Sequence, residues 1–293
     1  MKLQQYVLTK KLSAGSFGQI YKGHHEKTGE LVAIKIEETR IKTLQHEATI
    51  LHYLQKNRVR NVPLIYWYGE IADIGVRAIV MPFYEYSLLE YIEHNNGQPD
   101  MLIQKQKINR WMMETIDILK NVHVSWVLHR DIKPQNFMIH KGRAILIDFG
   151  LAIFHDTHDT RKENTPRTQL IGTPNYASIR IHEGNQYCWR DDTISLGYVY
   201  LHLLEKTCPN IQTWPPRIKR TSENFDQRSP IDQPSSIDIQ NPYNQSLLEN
   251  KQLDVILSHC GENIPLCKYF KYVYSLKYGQ IPNYDGMKKA FAE

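Results

Sequence analysis

The run His129-Arg130-Asp131-Ile132-Lys133-Pro134-Gln135-Asn136, followed twelve residues later by Asp148-Phe149-Gly150 at the end of an apolar stretch, decides how this chain is read. Phosphoryl transfer asks little covalent chemistry of a protein. It needs an oriented hydroxyl, metal ions on the phosphates and positive charge where negative charge develops. The two motifs hold all three kinds of group. Asp131 can accept a hydroxyl proton, Lys133 can neutralise a moving phosphoryl group, and Asn136 with Asp148 can offer hard oxygen ligands to two magnesium ions. A chance polar loop beside a chance Asp-Phe-Gly turn would not place both motifs in this order at this spacing.

Toward the N-terminus, Ser13-Ala14-Gly15-Ser16-Phe17-Gly18-Gln19-Ile20 falls between the first two expected strands. The amides of such a glycine-bearing turn can approach phosphate oxygens closely, with Gly15 and Gly18 allowing the nearest approach. Val32-Ala33-Ile34-Lys35 then sets a lysine on the third expected strand, the pattern that reaches nucleotide phosphates. A lone strand lysine is usually just solvated, so Glu47 matters. It lies three after Leu44 and four before Leu51, on the apolar stripe of a helix expected over 43–56. A carboxylate there is costly to bury unpaired, and Lys35 is the cation that would pair with it.

The wider pattern is antiparallel first and helical afterwards. Strands are expected at Tyr6–Leu12, Gln19–Lys22 and Leu31–Ile36, with a Lys27-Thr28-Gly29-Glu30 turn. Helical spacing marks Ile108 to Val122, Ile194 to Leu204, and Tyr269 to Leu276 with a stop at Gly279. Two short strands, Phe137–His140 and Ala144–Ile147, flank a Lys141-Gly142 turn. The stretches 155–169 and 207–243 read as surface loops, the second holding six of the fourteen prolines.

Composition excludes other classes. The 293 residues are 41% hydrophobic and 23% charged, ordinary for a folded protein of one enzyme-sized unit and unlike a disordered or fibrous chain. A net charge of +5 is too small for a dedicated nucleic-acid binder. Cys188, Cys208, Cys260 and Cys267 form no C-x-x-C pair, so neither a zinc site nor a disulfide framework is expected. No signal core or apolar membrane span stands out, and the expected home is the cytoplasm or nucleus, with no membrane association.

With these motifs in place the chain resembles a eukaryotic protein kinase, and within that group the casein kinase I family. Leu170-Ile171-Gly172-Thr173-Pro174-Asn175-Tyr176-Ala177-Ser178-Ile179 is similar to the family's G-T-A-R-Y-A-S-I, which stands where other kinases have A-P-E. Arg190-Asp191-Asp192-Thr193-Ile194-Ser195-Leu196-Gly197-Tyr198-Val199 is similar to R-R-D-D-L-E-S-L-G-Y-V, and Tyr269 to Phe291 follows the family's last helices.

The resemblance implies an α+β, bilobal fold spanning 1–293 as one kinase domain. A small antiparallel-sheet lobe with one main helix (about 1–81) would join a larger, mostly helical lobe (about 86–293) through a hinge at about 82–85. It implies a monomeric serine/threonine kinase that uses ATP and Mg2+ on protein substrates, acidic ones among them. Lys133 after His-Arg-Asp supports that class over tyrosine kinases. ATP would contact Leu12, Gly15, Ser16, Phe17, Gly18, Ile20, Ala33 and Lys35. It would also meet Met81 as gatekeeper, Pro82 and Phe83, with Tyr84 supplying the amide for adenine. Thr173 would face the substrate, and Asp192 would accept hydrogen bonds from the catalytic-loop backbone.

Arg130 is the residue that in similar kinases meets a phosphorylated loop, for which Thr157, Thr160, Thr165 and Thr168 are available. Two departures stand out. Ser13 replaces the first loop glycine, and Asn175 replaces an arginine that helps the family bind phosphorylated or acidic substrates. Asparagine supplies neither charge nor a bidentate fork, so Arg217, Lys219 and Arg220 are the alternative basic patch. Two rivals remain at this stage: a pseudokinase that holds nucleotide or a partner without turnover, and a small-molecule phosphotransferase, which would not need the Gly172–Ile179 segment.

Overall fold

Alternation along Leu31–Glu38 sorts the small lobe into two faces. The computed structural model describes residues 2–15, 18–94, 101–155, 167–207, 214 and 237–292. In it this segment is the fourth strand, β4. A six-stranded antiparallel sheet runs β1 (Lys2–Leu3), β2 (Tyr6–Gly15), β3 (Gly18–His25), β4, β6 (Val76–Pro82), β5 (Trp67–Ile71). Val32 and Ile34 point to one face, packing with Leu3, Tyr6, Ala78 and Val80. Ala33 points to the other, where helix α1 (Thr43–Lys56) lays Leu44 and Ala48 on Ile79 and Met81. By the same two-residue period Lys35 and Glu37 also face α1. Two charged side chains are thereby aimed at one helix.

The larger lobe follows from β7 (Tyr86–Ser87), α2 (Leu88–His94) and α3 (Met101–Val124) onward. Its core is Ile116, Leu119 and Val122 of α3, Tyr198 and Leu201 of α5 (Trp189–Thr207), and Phe270 and Val273 of α8 (Ile264–Ser275). Each such side chain contributes roughly 1.5–3 kcal/mol by leaving water. The short helices α4 (Ile179–His182), α6 (Pro242–Asn250), α7 (Leu253–Cys260) and α9 (Tyr284–Ala292) complete it. On the cleft side lie β8 (Val127–Leu128), β9 (Phe137–His140), β10 (Arg143–Leu146) and β11 (Ile153–Phe154). β9 and β10 form a hairpin across Lys141-Gly142, as expected. The architecture is the expected one: a small antiparallel-sheet lobe with one main helix and a larger, mostly helical lobe.

Several boundaries differ from the sequence reading. β2 and β3 stay paired to Gly15 and Gly18, with Ser13 opposite Ile20. Register shifts at Leu8/Lys10 and Lys11/Ser13 break the alternation there, which hid the last residues of the strand. Helix α8 ends at Ser275 rather than Gly279, because Leu276 turns extended and its carbonyl accepts from Arg190 Nη1 at 3.2 Å.

The stretch 207–243 is not wholly a surface connection. Trp214 is buried against Tyr198 and His259, β13 (Ile237–Asp238) pairs with β12 (Gln169–Leu170), and α6 begins at Pro242. A burial and a ladder that depend on distant partners leave no local signal. Thr157, Thr160, Thr165, Arg217, Lys219 and Arg220 lie outside the described residues.

Candidate active site

Lys35 Nζ lies 2.7 and 3.0 Å from the two carboxylate oxygens of Glu47 and 3.0 Å from Asp148 Oδ1. Glu47 is buried on the apolar stripe of α1, so the pairing expected from its position is present. Burial would lower the Lys35 pKa, but the charges of Asp148 and Glu47 outweigh it and hold the ammonium above the ordinary lysine value. Asp148 is the mirror case. Enclosure in the protein would raise it, yet Lys35 brings it down to about 2. Its side chain is still 44% exposed. The carboxylate is therefore ionised, anchored on one oxygen and open toward the cleft. Its backbone is left-handed (φ 66°), after which Phe149 turns into the core and meets the His129 ring edge-on at 4.8 Å.

How α1 is held was not legible from the motif residues. Lys42 at the helix start makes no side-chain cap. Glu37 does the work from the sheet, its Oε1 accepting from the Leu44 amide at 2.9 Å. Arg77 Nη1 donates to the Ile41 carbonyl at 2.8 Å and lies 3.4 Å from Glu37 Oε1. Strand β4 thus grips α1 twice, at its first turn through Glu37 and one turn later through Lys35 and Glu47. The signal was available: Glu37 follows Lys35 by two and must share its face.

Asp131 is held just as closely. Asp131 Oδ1 accepts from the Thr173 amide at 2.9 Å and the Thr173 hydroxyl at 2.7 Å. Its Oδ2 faces Lys133 Nζ at 3.0 Å and Asn136 Nδ2 at 3.3 Å. Lys133 also donates to Thr173 Oγ1 at 3.1 Å, and Asn136 Nδ2 to the Asp131 carbonyl at 2.8 Å. Gly172 makes the approach possible. With φ at +99°, a β-carbon there would sit 2.5 Å from the Arg130 carbonyl.

Two adjacent carboxylates at the start of α5 fasten this arrangement from below. Asp192 accepts from the His129 amide at 2.7 Å, the Arg130 amide at 2.9 Å and His123 Nε2 at 3.0 Å, as the sequence reading anticipated for Asp192. Burial alone would raise its carboxyl, but His123 and His129 hold it below the usual value. Asp191, which the sequence reading passed over, takes the Ser178 hydroxyl at 2.5 Å and the Cys188 amide at 2.7 Å. It fixes the start of α4, since Ser178 is that helix's cap.

The remaining expected contacts sort by strand register. Ile20 pairs with Lys35, Ala33 with Met81, and Lys35 with Ile79, so these side chains share the face that carries Lys35. Leu12 is exposed at a register irregularity of β2. Pro82 closes β6, and the Phe83 amide is turned back to the Leu31 carbonyl at 3.3 Å. That direction leaves Tyr84, not Phe83, as the amide beyond the strand end. Gly18 also answers to its neighbouring strand. At φ +108°, a β-carbon would run into the Ile36 carbonyl, so that strand by itself requires a glycine here. Gly15 ends β2, while Ser16 and Phe17 lie outside the described residues. Arg130 Nε donates to the Leu151 carbonyl at 2.6 Å and its guanidinium lies over the Tyr187 ring. Among the described residues Asn175 meets a neutral partner, the Tyr243 hydroxyl, which donates to its Oδ1 at 3.4 Å.

The donor set suits magnesium held jointly with phosphates. Asp148 keeps a carboxylate oxygen clear of Lys35, and Asn136 spends its nitrogen on Asp131, leaving its oxygen as the acceptor. Among the described residues no three His, Cys, Asp or Glu converge as a metal cage. Magnesium bound by one or two protein oxygens takes the rest of its shell from phosphate and water.

Residues 6–261 match the protein kinase domain family, which is most of the chain. The chain belongs to that family, and its class is that of a protein kinase, a phosphotransferase acting on proteins.

Proposed function

We propose that this protein is a serine/threonine kinase of casein kinase I type that transfers the γ-phosphoryl group of ATP, with Mg2+, to hydroxyls of protein substrates. The observation that carries this reading is the pair of completed ion clusters, Lys35–Glu47–Asp148 and Asp131–Lys133–Thr173, each within hydrogen-bonding distance. A chain kept only for binding has no need of a buried lysine beside its catalytic-loop aspartate. The proposed domain spans 1–293, with the hinge at 82–85 where β6 ends.

In this reading Lys35 binds the nucleotide's phosphates, and magnesium, held by Asp148 and Asn136, would neutralise their charge. Asp131 orients the acceptor hydroxyl and takes its proton, most readily at Oδ2, whose two contacts are the longer ones. Lys133, released from Asp131 by that step, then faces the phosphoryl group in transfer. Thr173 keeps Asp131 Oδ1 in place throughout. Adenine would lie between Ala33 and the end of β6, with Met81 behind it and the Pro82 carbonyl and Tyr84 amide at its edge. Asn175 lacks the charge to read a phosphate on the substrate, so recognition of acidic stretches falls to other residues.

The test is incubation of the purified chain with labelled ATP, magnesium, casein and an acidic peptide, beside Asp131→Asn. Label on serine or threonine, absent from the control, is the expected result. ATP binding without transfer would replace the reading with a pseudokinase.

A further inference from the structure

Lys251 caps the end of α6 and is fully buried at 0% exposure. Its ammonium donates to the carbonyls of Pro174 at 2.7 Å and Ala177 at 2.6 Å, and lies 2.8 Å from His182 Nε2. The histidine tautomer follows from its other side. Asn244 donates its nitrogen to the carbonyls of His182 and Ile239, which leaves its oxygen facing His182 Nδ1. An amide oxygen only accepts, so Nδ1 carries the hydrogen, and Nε2, which also lies 3.0 Å from the Pro174 carbonyl, accepts from Lys251, whose ammonium bridges these two acceptors. Three donors meet three acceptors, and the Tyr198 ring lies 5.0 Å away. Among the described residues no carboxylate meets this ammonium.

A buried cation with no counter-charge is a poor way to stabilise a fold, since desolvation costs several kcal/mol and an apolar side chain of similar volume packs at no such cost. Burial accordingly pushes the Lys251 pKa well below the ordinary value. What the lysine does supply is geometry. Its two carbonyl partners bracket Asn175 and Tyr176, and Pro174 directly follows Thr173, the residue that holds Asp131 through its amide and hydroxyl. The stretch from 173 to 177 is therefore tied at one end to the proton acceptor and along its length to α6.

We propose that Lys251 is a positioning residue for protein acceptors: it fixes the Pro174–Ala177 backbone as the platform on which the acceptor chain lies beside Asp131. This inference rests on the kinase reading, and its test separates the two. Lys251→Met keeps the volume and removes the donors. In hydrogen exchange of the full chain, amides in 173–180 of the variant should exchange about tenfold faster while those of α1 stay unchanged. In kinetics, the KM for casein should rise about tenfold or more with the KM for ATP within about twofold. Unchanged exchange at 173–180, exchange raised equally throughout the lobe, or an unchanged casein KM would each overturn the role. A wild-type chain that transfers no phosphate would instead overturn the kinase reading, and the exchange experiment would still decide this one.

Discussion

Two buried ammonium groups stand on opposite sides of the cleft, and they are held in opposite ways. Lys35 lies between two carboxylates, which keep it charged whatever its burial costs. Lys251 lies among two carbonyls and a neutral imidazole, which satisfy its hydrogen bonds without balancing its charge. On the proposed function the first arrangement would deliver a permanent positive charge to the nucleotide's phosphates. The second delivers fixed backbone positions. On that proposal electrostatics organises the nucleotide side, and hydrogen-bond geometry organises the acceptor side.

The largest effect that would break this contrast is at the point where the two sides meet. Asp131→Asn should lower turnover on the order of a hundredfold or more, with ATP affinity by calorimetry little changed. Lys35→Met should reduce kcat/KM for ATP by about tenfold to a hundredfold, since it removes a charge-assisted contact to phosphate and leaves Glu47 buried without its cation. Equal losses on the nucleotide and acceptor constants from Lys35→Met would show that the two sides are not separately organised.

Smaller changes sharpen the comparison. His202 stacks on Tyr176 in the platform and accepts or donates at its hydroxyl at 2.5 Å, and burial, with Lys206 nearby, lowers its pKa to about 4. The unfolded chain, with its histidine near 6.5, binds more protons between these values, so stability is complete above about pH 6.5 and declines as pH falls toward 4. One pH unit is worth about 1.4 kcal/mol, so the window of about 2.5 units is worth at most about 3 to 4 kcal/mol. Urea unfolding of wild type and His202→Asn across this range would measure it, and an identical acid dependence in both would remove the histidine from the account.

Glu37→Gln should weaken the first-turn cap of α1 by about 1 kcal/mol, seen as faster exchange near Leu44 and a several-fold fall in kcat. Ser13→Gly is the smallest. It should change the KM for ATP by less than about tenfold, or 1.4 kcal/mol, because Ser13 is already held by the ladder opposite Ile20, just past the register shift of β2.

Much of the site could be read from order and spacing. Asp131, Lys133, Asn136 and Asp148 are chemically scarce in combination, and Glu47 announced itself by breaking an apolar stripe. What stayed hidden had no local partner. Lys251 reads as one more surface lysine after a helix, and only the approach of residues 174–182 reveals its acceptors. Asp191 looked equivalent to Asp192, yet one carboxylate serves Ser178 and the other the loop at His129. Trp214 sat in a proline-rich stretch whose composition argued for exposure.

By itself, then, the sequence determined the class of chemistry, the order of sheet lobe and helical lobe, and the strand and helix that bring Lys35 and Glu47 together. Those depend on residue type and on periods of two and 3.6, which are local. Only the tertiary structure decided which buried polar atoms satisfy one another: Glu37 with Leu44, Gly18 against Ile36, Lys251 with Pro174 and Ala177. A polar group leaving water must find a partner wherever the chain brings one, and that place is set by packing across tens of residues.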